Sequence, residues 1–515
     1  MVRVPVYLLC AALTASAQST AERWWQHVSY LADDKLEGRN TGSEGHRLAA
    51  QYAADQFASI GLQPAGTNGW FQTVPFDTRQ IDESGSSLAL SAGGKETKLT
   101  LGKEAYFDMR VEPRAAVRAP LVFAGYGLRV PEMDYDDLRG LDLKGKIAVV
   151  LTGAPPGWPG PLAAHFQNAD VRWDGLRRAG AIGVVAIPKV QTTPWIRASA
   201  ARIQAQMSAR LPGPPDASQQ LHVIFNPEHV ALLFDGTGHS LAELLKLSNG
   251  AAPMPHFALN KELIATAKVK KGSLESQNIV GLLPGKKKEY VVVSAHIDHT
   301  GKLQTFAGDG IFNGAMDNAS GVAAAIEVAR QLKAGPPLNR SVLFVLVTGE
   351  EKGLQGSRYF ARTPTVPRKK LIADCNMDMF MPLHELKALT FLGVDESTLG
   401  DTAKAVAADF KLPVYPDPIP EQRRFTRSDQ YSFIREGIPA LAFKFGYAKG
   451  SEEERIQAEW LKTRYHAVSD DLTQPVNKEA AARFTEYLAA LVKRVANDKK
   501  KPSWKPDSFF RRFAR

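Results

Sequence analysis

The chain has little cysteine: Cys10 and Cys375 are the only two in 515 residues. A disulfide framework is therefore excluded, and stability has to come from burial. Beyond the first residues no stretch reaches the ~18 uninterrupted apolar residues of a membrane helix, so no stable membrane insertion is expected. Internal repeats and extended low-complexity segments are also missing. An acidic excess is absent too, for the net charge is +10 with a pI near 9.3. That basicity is local: from Lys493 to Arg515 five Lys and four Arg face only Asp498 and Asp507, and the remaining body is close to neutral. A nucleic-acid partner is accordingly not expected. The segment 497–515 reads as a solvated basic tail, with attachment to a polyanionic surface as the alternative, although Trp504, Phe509, Phe510 and Phe513 could equally pack back on the body.

The length implies two or three domains, since single cores stop growing well below it. The opening residues carry Arg3, an apolar run from Val4 to Leu13, and small residues at Ala15 and Ala17. This is the layout of a signal peptide over 1–17, so the protein is expected to be exported, periplasmic or secreted. Cys10 lies too early to serve as a lipid anchor.

A helix is expected over Ala21 to Leu36, followed by Gly38, Gly42 and Gly45 and a second helix with the stripe Ala49, Ala53, Phe57, Ile60, closed by Gly61. Short strands fill roughly 70–110, and 21–110 reads as the first part of the main domain with a connector. Residues 115–255 read as an inserted β-rich domain, from PLVFAGYGL through LKGKIAVVLTG and AGAIGVVAIP to LHVIF. It contains no clustered metal ligands, which suits a lid, a partner surface or a plain spacer. From 270 to 496 near-continuous Val/Ile/Leu strands alternate with helices, ending in an amphipathic helix from Asn477 to about Ala496. A sheet buried on both faces follows, so the body is an α/β sandwich with a mostly parallel mixed central sheet flanked by helices.

Chemistry is concentrated where the apolar runs end. VVVSAHIDHTG, a Gly-rich Asp-Asn turn (NGAMDNASG) and SVLFVLVTGEE put His296, Asp298, Asp317, Glu350 and Glu351 at strand ends and turns, and Asp378 and His466 occupy like places later. One buried His is more often a core residue and one strand-end Asp a turn residue; seven such groups converging on one crevice outweigh that reading. The adjacent Glu350 and Glu351 repel each other and are costly without a cation. Imidazole and carboxylate without thiolate suit zinc or a similar divalent ion, and the number of carboxylates suggests two ions sharing one of them. Three ligating carboxylates leave such a pair one positive charge, which a bridging hydroxide neutralises, and a nonligating carboxylate beside it can shuttle the proton.

The motifs AHIDHTG, NGAMDNASG, TGEEKGLQGS, NMDM and RYHAVSD, in that order, resemble those of the di-zinc aminopeptidase family of bacterial leucyl aminopeptidase type, whose wider kin include glutamate carboxypeptidases, glutaminyl cyclases and the transferrin receptor. LEGRNTGSEG and the inserted region resemble bacterial members with a protease-associated domain. The resemblance implies that Asp317 bridges two zinc ions, one also held by His296 and Asp378, the other by Glu351 and His466. It implies Glu350 as general base, Asp298 as the carboxylate fixing the His296 imidazole, and Tyr465 as the phenol that steadies the oxyanion. Met316 stands where relatives carry an acidic or varied residue. His299 and Asn318 read as loop-holding residues, Ser428 and Asp429 lie in a segment that relatives use near the substrate, and His384 and Arg427 have no assigned role.

The expected function is removal of residues from the free amino end of peptides by an exported zinc metalloexopeptidase, the metal-bridging hydroxide attacking with Glu350 as base. The alternatives are a carboxypeptidase- or dipeptidase-like hydrolase with the same metal core and, from another class, a non-catalytic binding protein on the same scaffold. A glutaminyl cyclase fits less well, because such relatives work with one zinc and this chain keeps a full set for two.

Overall fold

The computed structural model describes residues 18–189, 195, 199, 201–213, 217–303 and 308–514. Residues 1–17, where a signal peptide is expected and where Cys10 falls, lie outside the described residues.

Among the described residues the main sheet has ten strands. At its centre Arg340–Val347, Lys287–His296, Leu371–Asn376 and Ala440–Phe445 lie side by side and run parallel. Antiparallel strands flank them, Val269–Leu283 and Phe71–Ile81 on one side and Leu389–Leu392 on the other, so the sheet is mixed. Successive side chains of a strand point to opposite faces. Val291, Val293 and Ala295 accordingly join one core with Trp24, Phe57, Ile326, Phe484 and Leu488. Tyr290 and Val292 join the other, with Phe360, Phe433 and Phe510. Both faces are covered, which is why these strands are apolar throughout and do not alternate with polar residues.

Among the described residues five helices cover the first face: Thr20–Leu31, Glu44–Ile60, Ser320–Ala334, Thr398–Asp409 and Lys478–Asn497. The second ends at Gly61 with φ of 83°, the left-handed cap expected of it. The first helix stops at Leu31, short of Leu36, because the Asp33 carboxylate caps a separate tight turn over Asp34–Arg39. None of the described helices is long and apolar enough to cross a membrane.

After Ile81 the chain leaves the main sheet, touches its edge again with Gln206–Ala209, which pairs antiparallel with Phe76–Arg79, and re-enters it at Val269, which pairs with Ile81. Between these points it builds a second, eight-stranded sheet with its own core around Phe123, Val149, Val185, Val223 and Leu263. That sheet draws on residues on both sides of 115–255, taking in Ser87–Ala92, Lys95–Leu99, Ala105–Phe107 and His256–Thr266. Lys95–Leu99 is exposed except at Leu99, so it carries no apolar pattern that would mark it as part of a core.

The basic tail is not a solvated extension. Phe510 is fully buried, Trp504 Nε1 donates to Gly437 O at 2.9 Å, and Arg512 pairs with Glu132 of the second layer. Phe509, Phe510 and Phe513 surround His165, which belongs to the helix Gly160–Phe166 of that layer. Burying the aromatic area outweighs the solvation of a few cations, whose charged heads remain near the surface.

Candidate metal centre

The site lies beyond the carboxyl ends of the parallel strands, where connecting loops converge while the sheet holds them rigid. His296 is the last residue of its strand, Glu350 and Glu351 follow Arg340–Val347, and Asp378 follows Leu371–Asn376. Asp317 sits in a wide turn just before Ser320–Ala334. That turn requires a glycine at 314: φ there is 62°, and a Cβ would stand 2.2 Å from Asp317 O and 2.6 Å from the His299 ring. His466 comes from the turn after the helix Glu452–Thr463.

These elements bring the expected ligands together. His296 Nε2 lies 3.2 Å from Asp317 Oδ1 and 3.6 Å from Asp378 Oδ1. On the other oxygen, Asp317 Oδ2 lies 3.1 Å from His466 Nε2, which is 3.2 Å from Glu351 Oε2. Asp317 is thus flanked by an imidazole on each carboxylate oxygen. Burial would raise its pKa, but the hydrogen bonds of His296 and His466 hold it well below the usual range. Glu350 goes the other way. Burial, reinforced by repulsion from Glu351 and Asp378 and opposed by His296, lifts it well above an ordinary carboxylate.

Asp298 is fully buried, but its carboxylate does not grip the His296 ring. That contact comes from its backbone carbonyl, 3.1 Å from His296 Nδ1. The carboxylate itself accepts from Thr41 Oγ1 at 2.9 Å and from Glu350 N at 3.1 Å, so it supports the Glu350 backbone. The Tyr465 ring stacks on His466 at 4.0 Å, and its oxygen accepts from Arg427 Nη2 at 3.2 Å. Burial pushes the Tyr465 phenol up to about 12, so it stays protonated. Asn318 holds the loop as expected, donating to Met377 O at 2.8 Å and accepting from Gly321 N at 3.0 Å. Ser428 accepts from Asn376 at 2.7 Å, and burial pushes Asp429 up to about 7. His384 bonds Glu385 O and Gln457, which gives it a structural role.

Two residues go beyond the sequence reading. His299 does not hold the loop through its ring; its Nδ1 lies 2.7 Å from Glu351 Oε1, without hydrogen-bond geometry, and 4.0 Å from Asp317 Oδ2. Asp470 takes the backbone N–H of Met316 on Oδ1 at 2.8 Å and that of Asp317 on Oδ2 at 3.0 Å. The HIDH spacing and the RYHAVSD motif contain both residues, but neither spacing says which way the side chains turn.

Two overlapping groups, His296 with Asp317 and Asp378, and His299 with Asp317 and Glu351, place one donor atom each within 4.8 Å of the others. Asp378 Oδ1, Glu351 Oε1 and both His299 ring nitrogens are buried without a hydrogen-bond partner among the described residues. Buried lone pairs left unmatched are costly, and a cation satisfies them. The nitrogen and oxygen donors fit a divalent ion of the zinc type.

The profile of Peptidase family M28 matches residues 278–492. Aminopeptidase YwaD of Bacillus subtilis (strain 168) is 26% identical over 257 residues, 48% of this chain and 50% of that protein, so the chain spans about half the length of this curated relative. The solved aminopeptidase from Aneurinibacillus sp. strain AM-1 shares the fold, with a TM-score of 0.52 at 20% identity over 93% of this chain and 95% of that one. Residues 278–492, where the parallel strands and the acidic and imidazole side chains at their ends are found, are thus similar to Peptidase family M28.

Proposed function

We propose that the protein is an exported di-zinc metallo-aminopeptidase. The observation that carries this reading is Asp317, with His296 at one carboxylate oxygen and His466 at the other. In it, His296, Asp317 and Asp378 would hold one zinc, and Asp317, Glu351 and His466 a second, with His299 beside the second set. When bound, such ions polarise a carbonyl and make water nucleophilic near neutral pH.

The remaining work falls to this chain's own side chains. Glu350, kept basic by burial and by its acidic neighbours, takes the proton of the attacking water and returns it to the leaving amine. Tyr465, protonated and accepting from Arg427, keeps its own proton to donate to the oxyanion. The acidic wall attracts the free amino group of the substrate. The leader layout over 1–17 supports export, and the insertion of a second sheet between Ile81 and Val269 supports a protease-associated domain.

Replacing Glu350 by Gln is expected to keep the metal, measured by elemental analysis, while lowering hydrolysis of a leucyl anilide by at least about a hundredfold. Near wild-type turnover would sink the mechanism. One observation favours a second reading. Arg427 is exposed beside Tyr465, where a guanidinium can receive a substrate carboxylate, as a carboxypeptidase or dipeptidase requires. Free, N-acetylated and C-amidated peptides separate the two: loss of cleavage on N-acetylation supports the aminopeptidase, and loss on C-amidation alone overturns it.

A further inference from the structure

One group that ties two of the site's loops together comes from outside the family match. Arg39, in the early LEGRNTGSEG segment, is 1% exposed. Its guanidinium donates to backbone carbonyls only: Nε to Ile297 O at 3.0 Å, Nη1 to Asn313 O at 2.6 Å and to Leu31 O, and Nη2 to Gly314 O at 3.0 Å. Ile297 lies between His296 and Asp298, and Asn313 and Gly314 lead into Asp317. One planar fork therefore bolts the loop carrying the first imidazole to the loop carrying the shared carboxylate, a geometry the point charge of a lysine cannot reproduce.

Its neighbours extend the grip. His299 N donates to Arg39 O at 3.2 Å. Thr41 Oγ1 donates to Asp298 Oδ2 at 2.9 Å, and Asp298 Oδ1 accepts from Glu350 N at 3.1 Å, so a short relay runs from the N-terminal segment to the backbone of the proposed base. Gly38 allows the close approach: with φ of 69°, a Cβ there would stand 2.4 Å from Phe312 O and 2.6 Å from Gly301 O. No carboxylate forms an ion pair with Arg39 among the described residues, so its charge is spent on orienting carbonyls beside the acidic cluster.

We propose that Arg39 and Thr41 are positioning residues of the metal centre: Arg39 sets the spacing of His296 from Asp317, and Thr41, acting through Asp298, sets the placement of Glu350. The inference rests on the metallopeptidase reading above, and its test separates the two. In the full chain, Arg39→Ala, Arg39→Lys, Thr41→Val and Thr41→Ser are compared with Arg47→Gln, an exposed neighbour paired only with Glu44. Zinc affinity is read by chelator competition, kcat and KM on a leucyl anilide, and amide hydrogen exchange over 296–299 and 313–317.

Arg39→Ala is expected to weaken zinc by about tenfold to a hundredfold and to speed exchange in both loops, with partial recovery on adding guanidinium, while Arg39→Lys recovers less than half of the loss. Thr41→Val is expected to keep zinc affinity and KM and to lower kcat about tenfold, with Thr41→Ser restoring it. A folded Arg39→Ala chain with wild-type zinc affinity and exchange overturns the first assignment, and wild-type kcat in Thr41→Val overturns the second. If Arg39→Ala fails to fold, the Arg39→Lys and Thr41 pairs decide. Should the wild type neither bind zinc nor cleave peptides, the functional reading fails, and the exchange measurement still judges the clamp.

Discussion

Asp470 offers the sharpest test of how the shared carboxylate is held. Its Oδ1 accepts from Met316 N at 2.8 Å and Gln474 Nε2 at 2.6 Å, and its Oδ2 accepts from Asp317 N at 3.0 Å. Its backbone carbonyl takes Ala315 N at 3.0 Å, so the whole turn before Asp317 hangs on this residue. Asn is nearly the same shape but has one acceptor oxygen. With the amide nitrogen toward Asp317, two donors face each other and that N–H is orphaned. With it toward Met316, the nitrogen meets Gln474, which cannot flip freely because its own oxygen accepts from Trp460 Nε1 at 2.6 Å. Either orientation leaves a buried donor unmatched, at a cost of ~1–3 kcal/mol. If the turn needs its native shape only to bind metal, that cost appears as a loss of zinc affinity of about tenfold to a hundredfold, ~1.4 kcal/mol being one decade. Chelator competition on Asp470→Asn measures it. Asp471→Asn serves as the control, because Asp471 accepts only from Thr473 through its side chain. A folded Asp470→Asn protein with wild-type zinc affinity would refute the reasoning.

Three further outcomes follow from the packing between the layers. Phe510→Ala is expected to destabilise the protein by ~3–5 kcal/mol, because a fully buried ring among His165, Phe425 and Trp504 leaves a cavity. Arg512→Ala should cost under ~1 kcal/mol, since its pair with Glu132 is solvent-screened; equal denaturation midpoints for the two variants would mean that the tail docks by charge. His165, hydrogen-bonded to Tyr431 at 2.8 Å, has its pKa pushed down to about 3 by burial and by Arg435 and Arg512. The unfolded chain binds that proton near pH ~6.5, so between ~6.5 and about 3 the unfolded state carries the extra proton, and stability falls by ~1.4 kcal/mol per pH unit as the pH drops. His165→Gln should remove this slope from the acid-unfolding profile, and parallel profiles would show that the histidine is not the group responsible.

The sequence alone determined the sheet that is buried on both faces, because that burial demands unbroken apolar strands, and it determined where polar ligands follow those strands. That His296, Asp317, Glu351, Asp378 and His466 converge was legible for that reason: each is an imidazole or carboxylate at the end of an apolar run or in a Gly-flanked or polar turn. The tertiary structure alone decided which groups hold them. The carboxylate of Asp298 turned to Thr41 and Glu350 instead of the His296 ring, His299 turned toward Glu351, and Asp470 reached back to a turn more than 150 residues earlier. Arg39 reaches Ile297, Asn313 and Gly314 across 258, 274 and 275 residues of chain. The tail shows the same division, since its charge was plain in the sequence and its burial against His165 was not. Periodicity and spacing report what a residue does within a few positions of itself. A hydrogen bond that closes hundreds of residues of chain leaves no local pattern, and exists only once the sheet has set the distance it must span.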